Sequence, residues 1–284
     1  MSISPQPNLW QCGPFALKHA LVTLGIFANE DDISRITRTR ADRGTDEVQL
    51  QRAAKAYDCA LEMVRRHDPE KAKQELLKYL RKGIPSLLCI SEWNHWITVV
   101  KFQQGKFIVL DSRDKAVLQI LSWKQLKNLW VYHASDENDP EHNDTLFDFH
   151  PIVPRFRVTT KARFSVVRAK FLRRPENRTL ARQWDQYVED LLHICRPKTV
   201  LSVKVFSPGE FFRRHQEMIL DQVDYWHGEV SRNEAKKILK NFHFVADTYG
   251  LVIHEADEKR AIAAVTSILS LWAAKENGIG SIYS

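Results

Sequence analysis

Cys12 stands directly before Gly13 and Pro14, at the head of a run whose apolar residues Leu17, Ala20, Leu21 and Leu24 fall at i, i+3, i+4 and i+7. That spacing predicts a helix with Pro14 in its first turn, where a missing N–H costs nothing, and Gly25 at its end. Cys12 is thereby expected at a helix N-terminus. The free N–H groups and the dipole there favour negative charge, so a thiolate is stabilised and the residue reads as a nucleophile. Gln6, shortly before it, carries a side-chain amide able to donate to an oxyanion. Further along, His95 opens a strand-like run and Asp111 closes the next, with Gln103-Gln104-Gly105 as the hairpin turn between them. Neighbouring antiparallel strands can bring those two side chains together.

A glutamine, five residues, then Cys-Gly and a helix resembles the start of papain-like cysteine peptidases. More narrowly it resembles the bacteriocin-processing peptidases that cut double-glycine leader peptides. Gly83-Ile84-Pro85 leading a strand, Asn94-His95-Trp96 opening another and Lys106 to Asp111 forming the next extend the resemblance. Gly44-Thr45 with Leu50, Ala53 and Ala54 resembles the family's middle helix, and Ser122-Trp123 through Leu126 to Trp130 its closing helix. The match covers roughly residues 5–132. Two positions depart from the family's pattern: Gln11 stands where Asp usually precedes the Cys, and Ser112 where Pro usually follows the Asp.

Amide cleavage by a thiol needs a thiolate, a base that later serves as acid, a group that orients the base, and donors for the tetrahedral oxyanion. The resemblance implies that Cys12 attacks, that His95 holds the proton and passes it to the leaving amine, and that Asp111 accepts the second ring N–H of His95. Gln6 and the Cys12 backbone N–H would bind the oxyanion. Trp10 near Cys12, and Trp93 and Trp96 around His95, either line the substrate cleft or belong to the core. Taken singly, Cys12 also reads as a helix-start thiol and His95 as a core histidine; all four residues in family order favour the triad. The expected function is a cysteine peptidase acting on a peptide or protein, with a narrow cleft suited to a small pair such as Gly-Gly. Two alternatives stay open. The same acyl-enzyme could pass its acyl group to an amine or support deamidation, or the domain could be a catalytically silent adaptor that binds a protein partner. No cofactor is expected.

The chain has 284 residues, 44% of them hydrophobic and 27% charged, which is long enough for two ordinary domains of a globular protein. No run of about 18 apolar residues occurs, so no membrane span is expected. The N-terminus lacks a basic-plus-apolar signal segment, and a bacterial, cytoplasmic protein is the expectation. The four cysteines, Cys12, Cys59, Cys89 and Cys195, form no Cys-x-x-Cys pair, which argues against structural zinc and a disulfide framework. Cys59 and Cys89 lie in apolar strand-like runs and read as inert buried thiols. The net charge of +7 falls entirely in the second half, where residues 151–284 hold 22 basic and 15 acidic side chains. Between Arg155 and Arg182 the only acid is Glu176, a basic stretch that suits a solvated face or an acidic protein partner better than nucleic acid.

Helices first and an antiparallel sheet after them is an α+β order. The reading is a papain-like α+β domain over 1–133, an exposed acidic connector over 134–151, and a mainly helical, basic domain over 152–284 that selects a substrate or docks a partner. In that last part, Ser207-Pro-Gly-Glu210 and Ser231-Arg-Asn-Glu234 have the capping-box pattern of helix starts.

Overall fold

The computed structural model describes residues 2–136, 139–228 and 230–277. The chain divides after Asp185 into two units.

In the first unit the predicted nucleophile helix forms as α1 (Cys12–Thr23) and is covered on every side. Even Lys18 and His19 are fully buried in it, Lys18 because Glu30 and Ser4 take its ammonium at 2.9 and 2.8 Å. α2 (Glu30–Thr37) starts where the Asn29 side chain accepts the Asp31 N–H. Asp46 and Gln49 form a capping box at the head of α3 (Glu47–Ala56). Strands β1 (Cys59–Leu61) and β2 (Val64–Arg66) follow. Asp68 caps α4 (Pro69–Arg81), with Pro69 in the first turn where its ring is tolerated.

The central strands are β3 (Ser86–Ile90), β4 (His95–Gln103), β5 (Lys106–Leu110) and β6 (Leu118–Ser122). Gln104 and Gly105, both with positive φ, make the two-residue turn from β4 to β5. Ser122 and Gln125 cap α5 (Trp123–Trp130) as a second box. The unit's remaining strands are β7 (Tyr132–Asp136) and β8 (Asp139–Pro154). The main path of the antiparallel sheet is β1-β8-β3-β4-β5-β6, with β2 and β7 also paired to β8.

Side chains alternate across this sheet. Leu87, Cys89 and Trp96 join the core beneath α1 and α3, while Leu88, Ile97 and Val99 join Leu76, Leu126 and Trp130 of α4 and α5 on the other face. With both faces covered, the central strands read as continuous apolar runs. Helices packed on an antiparallel sheet is the α+β architecture expected of a papain-like domain.

The expected exposed connector over 134–151 is not what forms, although residues 137–138 lie outside the described part. Residues 139–154 are β8, an interior strand that pairs Phe149 with Leu88, His150 with Leu87 and Pro154 with Cys59. Phe147, Phe149 and Ile152 are buried. Asp148 is only 6% exposed and is held by Arg65 in two hydrogen bonds of 2.8 and 2.6 Å. Its carbonyl accepts the Trp130 indole N–H at 2.7 Å. The charge of Asp148 is thus satisfied by a partner distant in sequence, and a local window reads it as solvated. The basic run also belongs to the first unit: after an irregular stretch come α6 (Val166–Leu172), capped by Ser165, and α7 (Arg178–Arg182).

The second unit is mainly helical, as expected. It holds α8 (Trp184–Ile194), whose first two residues count with the first unit, then α9 (Pro208–His227), α10 (Arg232–Tyr249) and α11 (Glu258–Asn277). Ser207 and Ser231 accept the N–H groups of Glu210 and Glu234, so both predicted caps form. Phe211, Ile219, Leu239, Phe242, Val265 and Leu269 are buried. A small sheet places β11 (Leu251–His254) between β9 (Arg196–Pro197) and β10 (Val205–Phe206). Among the described residues no helix is long and apolar enough to cross a membrane.

Candidate active site

Cys12 is the first residue of α1 and is 7% exposed. The helix starts hard against the turn before α3: a Cβ on Gly13 would lie 2.7 Å from the Thr45 Cβ, so glycine is what allows the approach. The Trp96 indole donates to the Thr45 carbonyl at 2.9 Å, and the Thr98 hydroxyl donates to the Ala16 carbonyl at 2.6 Å. These contacts fix α1 on β4, whose first residue is His95.

His95 is 1% exposed, and its Nε2 lies 2.6 Å from Asp111 Oδ1 at the end of β5. Asp111 is itself held, its carboxylate accepting the Arg113 N–H and its own N–H donating to the Val117 carbonyl, both at 2.9 Å. The other ring nitrogen, Nδ1, is buried, and the Cys12 thiol interacts with this ring. The chain reaches His95 through three consecutive residues with positive φ, Ser91 (55°), Glu92 (53°) and Trp93 (59°). Left-handed backbone at non-glycine residues costs about 1–2 kcal/mol each. Asn94 offsets part of this by donating its side-chain amide to the carbonyls of Ser91 and Glu92 at 3.0 and 3.1 Å.

The electrostatics follow from this packing. Burial pushes the Cys12 thiol up, but hydrogen bonding to His95 and to the backbone of Trp96 and Gly13 outweighs it and leaves the thiol below its ordinary value. Burial pushes His95 down, and the Asp111 carboxylate and Cys12 bring it above the ordinary imidazole value. Asp111, raised by burial, is held below the usual carboxylate range by the His95 hydrogen bond and the Arg113 N–H. A thiolate–imidazolium pair flanked by a carboxylate is the state these shifts favour. The other cysteines behave oppositely: burial drives Cys59 up to about 11 and Cys89 up to about 12.

Gln6 sits beside this cluster, tied to the residue after Asp111. Its backbone N–H donates to the Ser112 carbonyl at 2.8 Å, and its Oε1 accepts the Ser112 hydroxyl at 2.6 Å. Its Nε2 donates to the carbonyls of Asn8 and Leu9 at 2.8 and 3.1 Å, so the amide N–H groups are engaged within the loop. Asn8 in turn donates to Gln11 Oε1 at 3.1 Å. Ser112 and Gln11, the two departures from the family's pattern, are thus the ends of one hydrogen-bonded chain through Gln6. Sequence reasoning gave Ser112 no role; its place directly after Asp111 was the available signal.

The three tryptophans differ. Trp96 is 6% exposed and belongs to the core below α1, while Trp10, in the turn before Cys12, is exposed. Trp93 stacks on Tyr132 with ring centroids 3.7 Å apart. Trp93 and Trp96 both line a cavity of about 280 Å³ that also reaches Cys89, Arg65 and His150. His19, which sequence spacing puts out of reach of Cys12, is fully buried, and burial followed by the neighbouring Lys18 pushes it down to about 3. Among the described residues no group of three or more His, Cys, Asp or Glu is arranged to hold a metal ion.

No family model and no curated protein matches the chain. Among solved structures, the peptidase domain of Streptococcus ComA, a bifunctional ABC transporter of a quorum-sensing pathway, is similar at 15% identity and a TM-score of 0.39, over 54% of this chain and 97% of that one. A double-glycine-motif protease from an AMS/PCAT transporter, solved with its leader peptide, aligns at 16% identity and a TM-score of 0.38, over 52% and 90%. The peptidase domain of Streptococcus mutans ComA gives 15% and 0.33, over 51% and 97%. All three are peptidases or peptidase domains, and each is matched over about half of this chain.

Proposed function

We propose that the first unit is a thiol-dependent hydrolase that cleaves a peptide bond in a peptide or protein. The observation that carries this reading is the 2.6 Å contact between His95 Nε2 and Asp111 Oδ1 with Cys12, at a helix N-terminus, against the same ring. In this reading Cys12 attacks as the thiolate, and His95, protonated on the ring nitrogen that Asp111 does not hold, delivers that proton to the leaving amine. Asp111 fixes the ring and supports its positive charge. The oxyanion is met by the Cys12 backbone N–H and by Gln6, which must exchange one of its two carbonyl contacts for it. Water then releases the acyl group.

The test is alkylation of Cys12 by iodoacetamide across pH, followed by intact mass on wild type and Cys12→Ala. Labelling of one site well below the ordinary thiol value of about 8.5, lost in the variant, is the expected result. A Cys12 that titrates as an ordinary thiol would sink the reading. Product mass then separates hydrolysis from transfer to an amine.

A further inference from the structure

The cavity of about 280 Å³ opens one step from the nucleophile. Thr45 in its wall is the residue against which Gly13 packs, and Trp96 in its wall contributes a backbone hydrogen bond to Cys12. Cys89, opposite Trp96 in the β3–β4 register, adjoins the Ile90–His95 pair. Thr45 and Trp96 thus link the cavity to the start of the helix that carries Cys12. Its volume is just below the range of about 300–1,000 Å³ typical of whole small-molecule sites, and suits a single long side chain.

The lining has two parts. Met63, Cys89, Trp93 and Trp96 give it apolar surface for an aliphatic stem. The charged residues are unequally committed. Arg65 is closed on Asp148 by its two hydrogen bonds, and Arg43 shares Asp42, which does not line the cavity, with Arg40 at 3.7 and 3.6 Å. Asp46 is spent on the cap of α3. Glu47, on the first turn of that helix, has no ion-pair partner among the described residues. It is exposed, and its charge is among those acting on Arg65, Cys89 and His150. His150, 3% exposed, lines the same wall with Nδ1 unpartnered, and burial holds its ring below the usual imidazole value and so neutral. The lining thus sets two arginines, Arg43 and Arg65, against three carboxylates, Asp46, Glu47 and Asp148, so the guest that completes the balance is positive.

We infer that this cavity receives a lysine or arginine side chain of the peptide substrate, its stem along Trp96 and Met63 and its cationic head toward Glu47. The inference rests on the peptidase reading and gives it a substrate class: a basic side chain close to the scissile bond, not only a pair of glycines.

The test uses chloromethyl ketones of short peptides, which alkylate an activated thiol without needing turnover. One residue, one or two positions before the reactive carbon, is lysine, norleucine or glutamate, and Cys12 modification is followed by intact mass. Each rate is divided by the same protein's iodoacetamide rate. The lysine probe is expected to react at least tenfold faster than norleucine at one of the two positions, and glutamate slowest. Glu47→Gln brings the lysine-to-norleucine ratio close to one, and Glu47→Lys makes the glutamate probe the fastest. A lysine probe no faster than norleucine at both positions, or a ratio unchanged by Glu47→Gln, overturns the inference while leaving the thiolate intact. Loss of low-pH iodoacetamide labelling in wild type overturns the peptidase reading itself.

Discussion

Ser112 gives its hydroxyl proton to the Gln6 side-chain oxygen at 2.6 Å, and its carbonyl accepts the Gln6 backbone N–H at 2.8 Å. The carbonyls of Asn8 and Leu9, which can only accept, fix which end of the Gln6 amide is nitrogen and so turn its oxygen to the Ser112 hydroxyl. Ser112→Ala keeps the backbone contact and removes the side-chain one. A neutral hydrogen bond contributes about 0.5–1.5 kcal/mol, so acylation of Cys12 by a p-nitrophenyl ester is expected to slow roughly three- to tenfold. Alkylation by iodoacetamide builds no oxyanion and keeps its rate. Ser112→Thr restores acylation. Equal loss in both reactions would mean that Ser112 acts on the thiolate and not on the oxyanion side.

The pH dependence comes from opposite shifts within one cluster. His95 is raised, so the stability drawn from its protonated ring is full below its unfolded value of about 6.5 and is lost as pH rises through the higher folded value. Asp111 is lowered, so its contribution is present above about 3.9 and is lost as pH falls through the lower folded value. Between those folded values wild type should exceed Asp111→Asn in unfolding free energy, and outside them the two should converge. Denaturant titrations across pH measure the gap; a gap that stays constant would show that Asp111 acts by packing alone. In the same variant the low-pH wing of Cys12 alkylation should move upward, because His95 loses the carboxylate that keeps it charged.

Gly13 leaves no room for a side chain. In Gly13→Ala the new Cβ meets Thr45 at 2.7 Å, an overpacking that costs about 1–3 kcal/mol. Combined with Thr45→Gly, which removes the opposing atom, the loss should be smaller than the sum of the single losses. Denaturant midpoints of the four proteins decide it, and strict additivity would place the strain elsewhere.

Residues 139–154 are part of the sheet, so cutting the chain after residue 133 removes an interior strand. A fragment ending at 133 is expected to be protease-sensitive and without a cooperative unfolding transition. A fragment ending at 185, which keeps the whole unit, should melt as one. Equal resistance of the two would mean that the sheet closes without β8.

The placement of Cys12, His95 and Asp111 was legible because its signals are local: a helix start at Cys12, a strand opening at His95, and a tight hairpin that returns the chain to Asp111. The helix caps were legible for the same reason. β8 was not, since Asp148 hides its charge against Arg65, 83 residues away, and an acidic residue in a polar neighbourhood reads as solvated. Lys18 is the same lesson inside α1, a cation fully buried because Glu30 and Ser4 meet it. Gln6 was legible as an amide near the nucleophile, but not as one already bonded to two carbonyls, because loop conformation leaves no periodicity to read.

The position of β8 also governs the order of assembly. It is the last strand of its sheet to be synthesised, yet β1, β2 and β3 all pair with it. Until it arrives, β3 presents one unpaired edge, Ser86 to Leu88, to whatever strand is nearby. Closing the sheet then requires a contact between segments separated by up to about half of the unit, the non-local pairing that slows folding into the millisecond-to-second range. Refolding of the first unit should therefore lag well behind formation of its helices. The yield of active protein will depend on concentration during that lag, because a second chain offers the waiting edge the same hydrogen bonds as β8.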